Sequence, residues 1–442
     1  MSRVRYDIRG QLLVLSPLHL GTGHVREVVT VIGKEGANTR PEVAALLRDA
    51  VDRPYLSGST LKGLLRRIAE GALEQGTVDI LFGAIKGEDG GMKGALTVSG
   101  AVQDQPGDAS GAPYVEGAQK ELGGGVFVAA RTAVDGASGT VDDGKLFFAE
   151  MVAPGARFGF RLSIERRGSD AAADASDVLD KTVRLLKSLA QDEGWNIGKG
   201  QADGFGRIRL DTRSVKIEKR ALNSSGTFAT SGVNGVWEKA LAAPVVYRKA
   251  LRSVELRLAC NGPFAIVDAS RKSSQGKGKQ EGAAQVSAQR IKQMPLILGS
   301  SLSGVLRARA GWIEKLHVLR GKRTEAGSCL RLFGTQDARA ILSIARLDVL
   351  KAERWDITSV KLDRFSGAPV DNALFTTDCF INTELSLRLV LEDRGGTMSP
   401  TEDDVALFDA LIADVTNNGV ELGHATNHGF GWFQVREAGH VH

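Results

Sequence analysis

An α+β fold of two tandem ferredoxin-like domains, carrying inserted loops and β-hairpins, is what this sequence of 442 residues predicts. Two observations predict it. The chain repeats itself, and each copy reads strand, helix, strands, helix, strand, the order of a split βαβ unit. Residues 135–147 (DGASGTVDDGKLF) align without a gap to residues 363–375 (DRFSGAPVDNALF) at an offset of 228. Four further matches keep the same order: residues 16–20 with 262–266, 54–63 with 295–304, 81–83 with 332–334, and Gly198 with Gly204-Phe205-Gly206 against Gly423 with Gly429-Phe430-Gly431. Chance composition does not produce one order at offsets confined between 225 and 251.

Each element follows from its own pattern. Ile8, Leu12 and Val14 open the first copy and Val254, Leu256 and Leu258 the second, in the near period-two spacing of a half-buried strand. A long polar loop then leads to a Pro-x-(Leu/Ile)-x-Gly-Ser turn and a helix, for which Ser59 or Thr60 is placed as cap. Leu61, Leu64, Leu65 and Ile68 fall at i, i+3, i+4 and i+7 and make one buried stripe, echoed by Leu302, Val305 and Leu306. Strands are expected at 96–98 and 342–344, a glycine-punctuated hairpin around Asp135 or Asp363, and strands at 158–164 and 385–391. A second helix carries Leu179, Val183 and Leu186 in one copy and Val405, Phe408, Leu411 and Ile412 in the other. The Gly-rich loop and a last strand close each unit.

The repeats delimit a first domain over residues 1–215, a linker over 216–250 and a second domain over 251–438. Each domain is long enough to bury its own core. The linker is polar at first, although Trp237 and residues 245–247 are apolar enough to pack. Residues 103–125, rich in Gly, and 268–285, basic and rich in Gly and Ser, exceed ordinary connections and are candidate functional loops.

Fifty-three glycines in 442 residues, 12% against a usual ~7%, indicate many tight turns or backbone lying against a ligand. The net charge of 57 − 52 = +5 permits nucleic-acid binding without requiring it. Basic residues gather at Lys62, Arg66 and Arg67, and again at Arg271, Lys272, Lys277 and Lys279. Cys260, Cys329 and Cys379 lie far apart with no CxxC pair, so neither a disulfide framework nor a cysteine zinc site is expected, and a reducing, cytoplasmic setting is. The start of the chain alternates like a strand without an apolar signal core. No apolar run approaches the ~18 residues that span a bilayer, so no membrane partner is expected.

Three patterns carry chemistry. Gly198, Gly204 and Gly206 before Arg207, and Gly423, Gly429 and Gly431, free the backbone either to converge several N–H groups on a phosphate or simply to reverse the chain. The helix beginning near Ser59 joins a positive helix end to Lys62 and Arg66, which is either a phosphate site or, for Arg66, a surface ion pair. At the second helix start Ser301 and Arg307 keep part of this pattern, while Ser303 replaces Lys62. His424 and His428 have no counterparts in the first copy and are placed to touch RNA or to act as an acid/base pair. His440 and His442 read as a loose tail, and His19 has Ala265 as its counterpart.

The SPLHLGTG opening, PYLSGSTLKGLLRR, LFG, LDRFSGAPVDNALF and GFGRI together resemble the RAMP superfamily of CRISPR-associated proteins. Within it the chain is most similar to Cas-seven backbone subunits of type III effector complexes, and two such domains in one chain look like the fused subunits of type III-D-like complexes. The resemblance implies RRM-like RAMP domains that polymerise along a CRISPR guide RNA, each with a thumb-like β-hairpin wedged between guide and complementary target RNA. Neighbouring backbone subunits and the small and large subunits of the effector are the implied protein partners. Asp363 and Arg364 match the hairpin's Asp-Arg pair, whereas the first copy has Gly136 where Arg364 stands. Lys62 falls in the family's guide-contacting segment, and His19, Ser59, Arg66, Arg67, Gly198, Gly204, Gly206, Arg207, Arg271, Lys272, Ser301, Arg307, Gly429 and Gly431 join it as candidate RNA contacts, His19 with a structural role at a strand end as the other reading.

In active relatives a loop aspartate cuts target RNA with a divalent metal. The corresponding place here falls at Glu42 and Val43, with Asp49 nearby, and in the second copy at residues 283–285, with Asp268 and Glu281 as acidic neighbours. No intrinsic cofactor is expected, and Mg or Mn only if one of Glu42, Asp49 and Asp268 works as a nuclease carboxylate. The metal ligands themselves are not legible. Three readings therefore stand: a guide-holding scaffold, the same subunit with target-RNA cleavage, and a guide-processing endoribonuclease.

Overall fold

The protein is described as a computed structural model over residues 4–28, 31–32, 38–39, 42–84, 92–113, 122–134, 141–165, 171–222, 228–233, 235–242, 250–268, 284–321, 327–335, 337–393 and 398–440. The result is a mixed α+β molecule in which the internal repeat becomes a structural one. In the first half, strands Val4–Val14, Leu96–Val98 with Ala101–Gln105, Arg157–Glu165 and Arg207–Leu222 form an antiparallel sheet. Counting those four in chain order, their spatial order is fourth, first, third, second. Ala250–Cys260, Leu342–Leu362, Pro369–Glu392 and Trp432–His440 repeat that order in the second half.

Register confirms the equivalence residue by residue. Ile8 faces Leu162 as Val254 faces Leu389, Leu162 faces Val98 as Leu389 faces Ile344, and Leu12 faces Leu210 as Leu258 faces Val435. Alternation explains the core: Tyr6, Ile8 and Leu12 point inward opposite Ile164, Leu162 and Phe158. Helices Gly58–Glu70 and Ala171–Leu189 bring Leu61, Leu64, Leu65 and Ile68, and Leu179, Val183 and Leu186, into this cluster. Helices Gly299–Leu319 and Glu402–Asn418 do the same in the second half through Leu302, Leu306, Phe408 and Leu411. A reciprocal cap starts the last of these, since Thr401 Oγ1 accepts from Asp404 N–H and Asp404 Oδ2 accepts from Thr401 N–H.

Two expectations are corrected. Ser57, not Ser59 or Thr60, caps the first helix: Gly58 is already helical, and extended Ser57 accepts from Thr60 N–H at 3.2 Å. Much of the segment read as a linker belongs to the first half. Residues 216–222 continue strand Arg207–Leu222, whose Ile217 faces the core while charged neighbours alternate outward, and the strand pairs with Phe228–Gly232. Helix Val236–Ala242 then seats Trp237 in the same core, with its indole N–H donated to Thr212 O at 3.0 Å. Residues 245–247 lie outside the described residues.

The halves differ in their hairpins. Strands Val126–Val134 and Val141–Val152 leave the central sheet of the first half and join Glu42–Leu46 and Gly21–Glu27 in a separate four-stranded sheet. In the second half the two long strands run out of the central sheet as one extended ribbon, ending in a tip at residues 363–368. A small apolar cluster, with Phe127, Met151 and Phe205 against Leu296 and Leu298, joins the halves.

Candidate nucleic-acid interface

The first helix start gathers cationic side chains. Lys62 is half-buried; burial first, then the charges of Arg66 and Lys93, hold its ammonium below the usual lysine range. An incoming phosphate relieves that repulsion, which is the physical content of an anion site at a helix start. Ser59 is exposed beside it, its hydroxyl 2.9 Å from that of Ser57. Arg66 is engaged with Glu70 at 2.9 Å and with Gly83 O at 3.3 Å. Arg67 is spent differently: it donates to Gln201 Oε1 at 2.9 Å and Asn196 O at 3.0 Å, tying the helix to the Gly-rich loop. Thr60, Gly63, Arg67, Asn196, Gln201 and Arg339 line a cleft of about 250 Å³ at this junction.

At the second helix start the chemistry has changed. Ser303, the counterpart of Lys62, is hydrogen-bonded by Asp203 of the first half, and Gly299 leaves room for Asp203 O. This helix start joins the two halves. Ser301 is half-buried there and Arg307 is exposed one turn on.

The Gly-rich loops do not present a ring of free N–H groups. Gly206 N–H goes to Pro17 O at 2.8 Å, Gly204 N–H to Gln201 O at 3.1 Å and Lys199 N–H to His19 O at 3.1 Å. In the second loop Gly431, Gly429 and His424 donate likewise to Pro263, Thr426 and Ala265 carbonyls. Glycine is demanded by chain reversal: at Gly206 and Gly431, both at positive φ, a Cβ would overlap the carbonyls of Ile197 and Leu422. Gly198 makes room in the same way for His19 O. Of the two readings of these glycines, the backbone supports the turn.

Several expected contacts lie in the interior. Arg207 is buried and pairs with Asp348 of the second half at 2.5 Å. His19 is 2% exposed, its Nδ1 within 2.7 Å of Glu150 O. Arg207 is buried against the second half, and His19 lies under the Gly-rich loop, whose Lys199 N–H donates to its carbonyl. Burial first, with Lys199 and Arg131 adding to it, holds the His19 imidazole below its usual range against the opposing pull of the Glu150 carbonyl. A folded pKa below the unfolded value of about 6.5 means stability present above that pH and lost as pH falls through the lower folded value. The denaturation midpoint is therefore expected to drop between about pH 7 and pH 5, and His19→Gln to flatten that slope. An unchanged slope in His19→Gln would assign the effect to other groups.

The candidate carboxylates are dispersed. Glu42 is exposed on its strand, directly opposite Glu27. Asp49 accepts from Arg53 N–H at 2.9 Å, Val51 N–H at 3.1 Å and the Arg53 guanidinium at 2.8 Å, which together hold its carboxyl below the usual range. It organises a turn. Asp268 is 2% exposed. Among the described residues no three His, Cys, Asp or Glu come together as a metal cluster. Arg271, Lys272, Glu281 and Gly136 lie outside the described residues.

The ribbon tip is built and exposed. Asp363 Oδ1 accepts from Phe365 N–H, Ser366 N–H and Ser366 O–H at 2.8–3.0 Å, so its role is to shape the tip, and these bonds lower its pKa. Arg364 is left exposed with its guanidinium 4.9 Å from the Phe365 ring centroid. Phe365 is 85% exposed and Trp355, farther down the ribbon, 55%. Sequence reading passed over Trp355 and Phe365. Their signal was an aromatic residue in an otherwise polar, alternating stretch, which no core requires. His424 and His428 are both exposed in the second Gly-rich loop.

Residues 11–209 match the family model of the RAMP superfamily, a span that takes in both long helices and most of the central sheet of the first half. No curated protein matches the chain. The match covers 199 of the 442 residues and falls within the first half of the chain. None of the described helices is long and apolar enough to cross a membrane.

Proposed function

We propose that this chain is a double backbone subunit of a type III CRISPR effector, each half a ferredoxin-like RAMP domain that holds guide RNA and spaces the guide–target duplex. The observation that carries this reading is the extended ribbon of the second half, tipped by Arg364 and Phe365 and bearing Trp355, where base-stacking groups stand clear of the core. Its counterpart hairpin in the first half occupies the same place in the repeat. Lys62 at the first helix start takes a guide phosphate, while the second helix start has been given over to joining the halves. Guide grip is thus unequal between the domains.

Among the candidate carboxylates of the described residues, Glu42 alone is exposed; Asp49 is committed to its turn and Asp268 to the interior. If target RNA is cut, a divalent metal held through Glu42 supplies the chemistry, and Glu42→Gln ends it without loss of guide. The scaffold role is tested by purifying the chain with its partners and sequencing bound RNA. Guide-length RNA of repeat–spacer origin is expected, with affinity falling steeply with salt. Lys62→Ala should weaken binding for all sequences alike; recovery of no RNA, or of binding insensitive to salt, overturns the proposal.

A further inference from the structure

Both halves carry their hairpin away from the central sheet at one repeated place. In the first half Gln103 faces Phe158 and Gln105 faces Arg157, so Asp104 has no residue opposite it. In the second half Val349 faces Leu385 and Lys351 faces Glu384, which leaves Leu350 in the same position. Three residues before Phe158 stands Gly155, at φ 92°, and three before Leu385 stands Asn382, at φ 49°. The left-handed residue is common to both halves, and only its side chain differs.

The two joints are closed differently. At Gly155 strand Val141–Val152 has ended, strand Arg157–Glu165 has yet to begin, and the hairpin goes to its own sheet. At Asn382 strand Pro369–Glu392 runs through. It does so as a bulge: Lys351 faces Glu384 and Glu353 faces Ile381, so Asn382 and Thr383 together stand opposite Ala352. A left-handed residue opens one form of such a bulge, and asparagine takes that conformation more readily than most side chains. Its Nδ2 donates to Glu353 Oε2 at 3.2 Å, and Glu353 pairs with Lys351 at 3.1 Å, which clips the bulge to the facing strand. Just beyond, Asp378 is gripped between Arg354 at 2.8 Å and Arg290 at 3.2 Å.

We infer that Asn382 is a positioning residue: it sets the direction in which the ribbon leaves the second half, and so where Trp355, Arg364 and Phe365 stand. From Glu353 to Leu362 the ribbon runs about 30 Å at ~3.3 Å per residue, so a turn of about 10° at the joint carries the tip about 5 Å. The bearing of this joint on target RNA rests on the proposed function. The joint itself does not, and its first test needs no RNA.

Spin labels introduced at Ala368→Cys in the tip and Ala413→Cys on helix Glu402–Asn418, both exposed places, give the tip-to-body distance in the full chain by pulsed electron resonance. The native Cys260, Cys329 and Cys379 are buried. Asn382→Val, whose branched side chain opposes positive φ, is expected to shift the mean distance by about 5 Å. Asn382→Gly keeps the backbone and drops the clip, and Glu353→Ala drops the clip from the other strand. Both should broaden the distribution about an unchanged mean. Circular dichroism checks folding, and if Asn382→Val does not fold this second pair carries the test. In guide-loaded complex Asn382→Val should also bind target about tenfold more weakly, the equivalent of one lost stack, with bound guide unchanged. An unmoved mean in folded Asn382→Val, or unaltered distributions in Asn382→Gly and Glu353→Ala, overturns the inference. A moved tip with normal target binding upholds the joint and overturns the ribbon's place on the duplex instead.

Discussion

Glu150→Ala is expected to destabilise the first half by about 3–5 kcal/mol, the cost of leaving a buried charge without its partner. Glu150 is 0% exposed, and its carboxylate pairs with Arg26 and with Arg48 at 3.4 Å while accepting from Leu46 N–H at 2.9 Å. Its own carbonyl lies against His19 Nδ1. One side chain thereby ties strands Gly21–Glu27, Glu42–Leu46 and Val141–Val152 into one sheet. Without it the Arg48 guanidinium, 10% exposed, and the Leu46 amide both lose a partner. The exposed Arg66–Glu70 pair gives the contrast: Arg66→Ala should move stability by no more than about 0.5 kcal/mol. Chemical denaturation with matched slopes measures both. Equal, small effects would mean that the buried carboxylate is not what organises this sheet.

Changing Trp355, Arg364 and Phe365 together to alanine is expected to leave stability within about 0.5 kcal/mol, because none of them packs in a core. The assembled complex should nonetheless lose affinity for target RNA. Each aromatic stacked on a base contributes about 1–3 kcal/mol, so the loss should be roughly 5- to 150-fold per aromatic. Arg364→Ala alone should lower the salt dependence by about one phosphate contact. Binding of labelled target to guide-loaded complex, at several salt concentrations, separates the two contributions. A triple variant that binds target normally would remove the ribbon from the duplex and with it the main support for the proposed role.

The repeat, the strand and helix order and the apolar stripes were all legible in the residues, because period-two and period-3.6 burial is imposed locally by backbone geometry. Ile8 with Leu12, and Leu61 with Leu65, behave as their spacing demands. Lys62 stands where its spacing puts it, half-buried in the first turns of its helix. What the tertiary structure alone decided is which polar groups were already taken. Arg67, Arg207, His19 and Asp268 carry the same side chains whether free or engaged, and only the folded chain brings Gln201 to Arg67, Asp348 to Arg207, and cover to His19 and Asp268. The two Gly-rich loops share their first glycine and a Gly-Phe-Gly and yet are opposite as surfaces, one closed by the second half and the other open at Gly429 and Trp432. Burial and pairing depend on residues up to hundreds of positions away, so local pattern sets the elements while the contacts between them assign each charge its task.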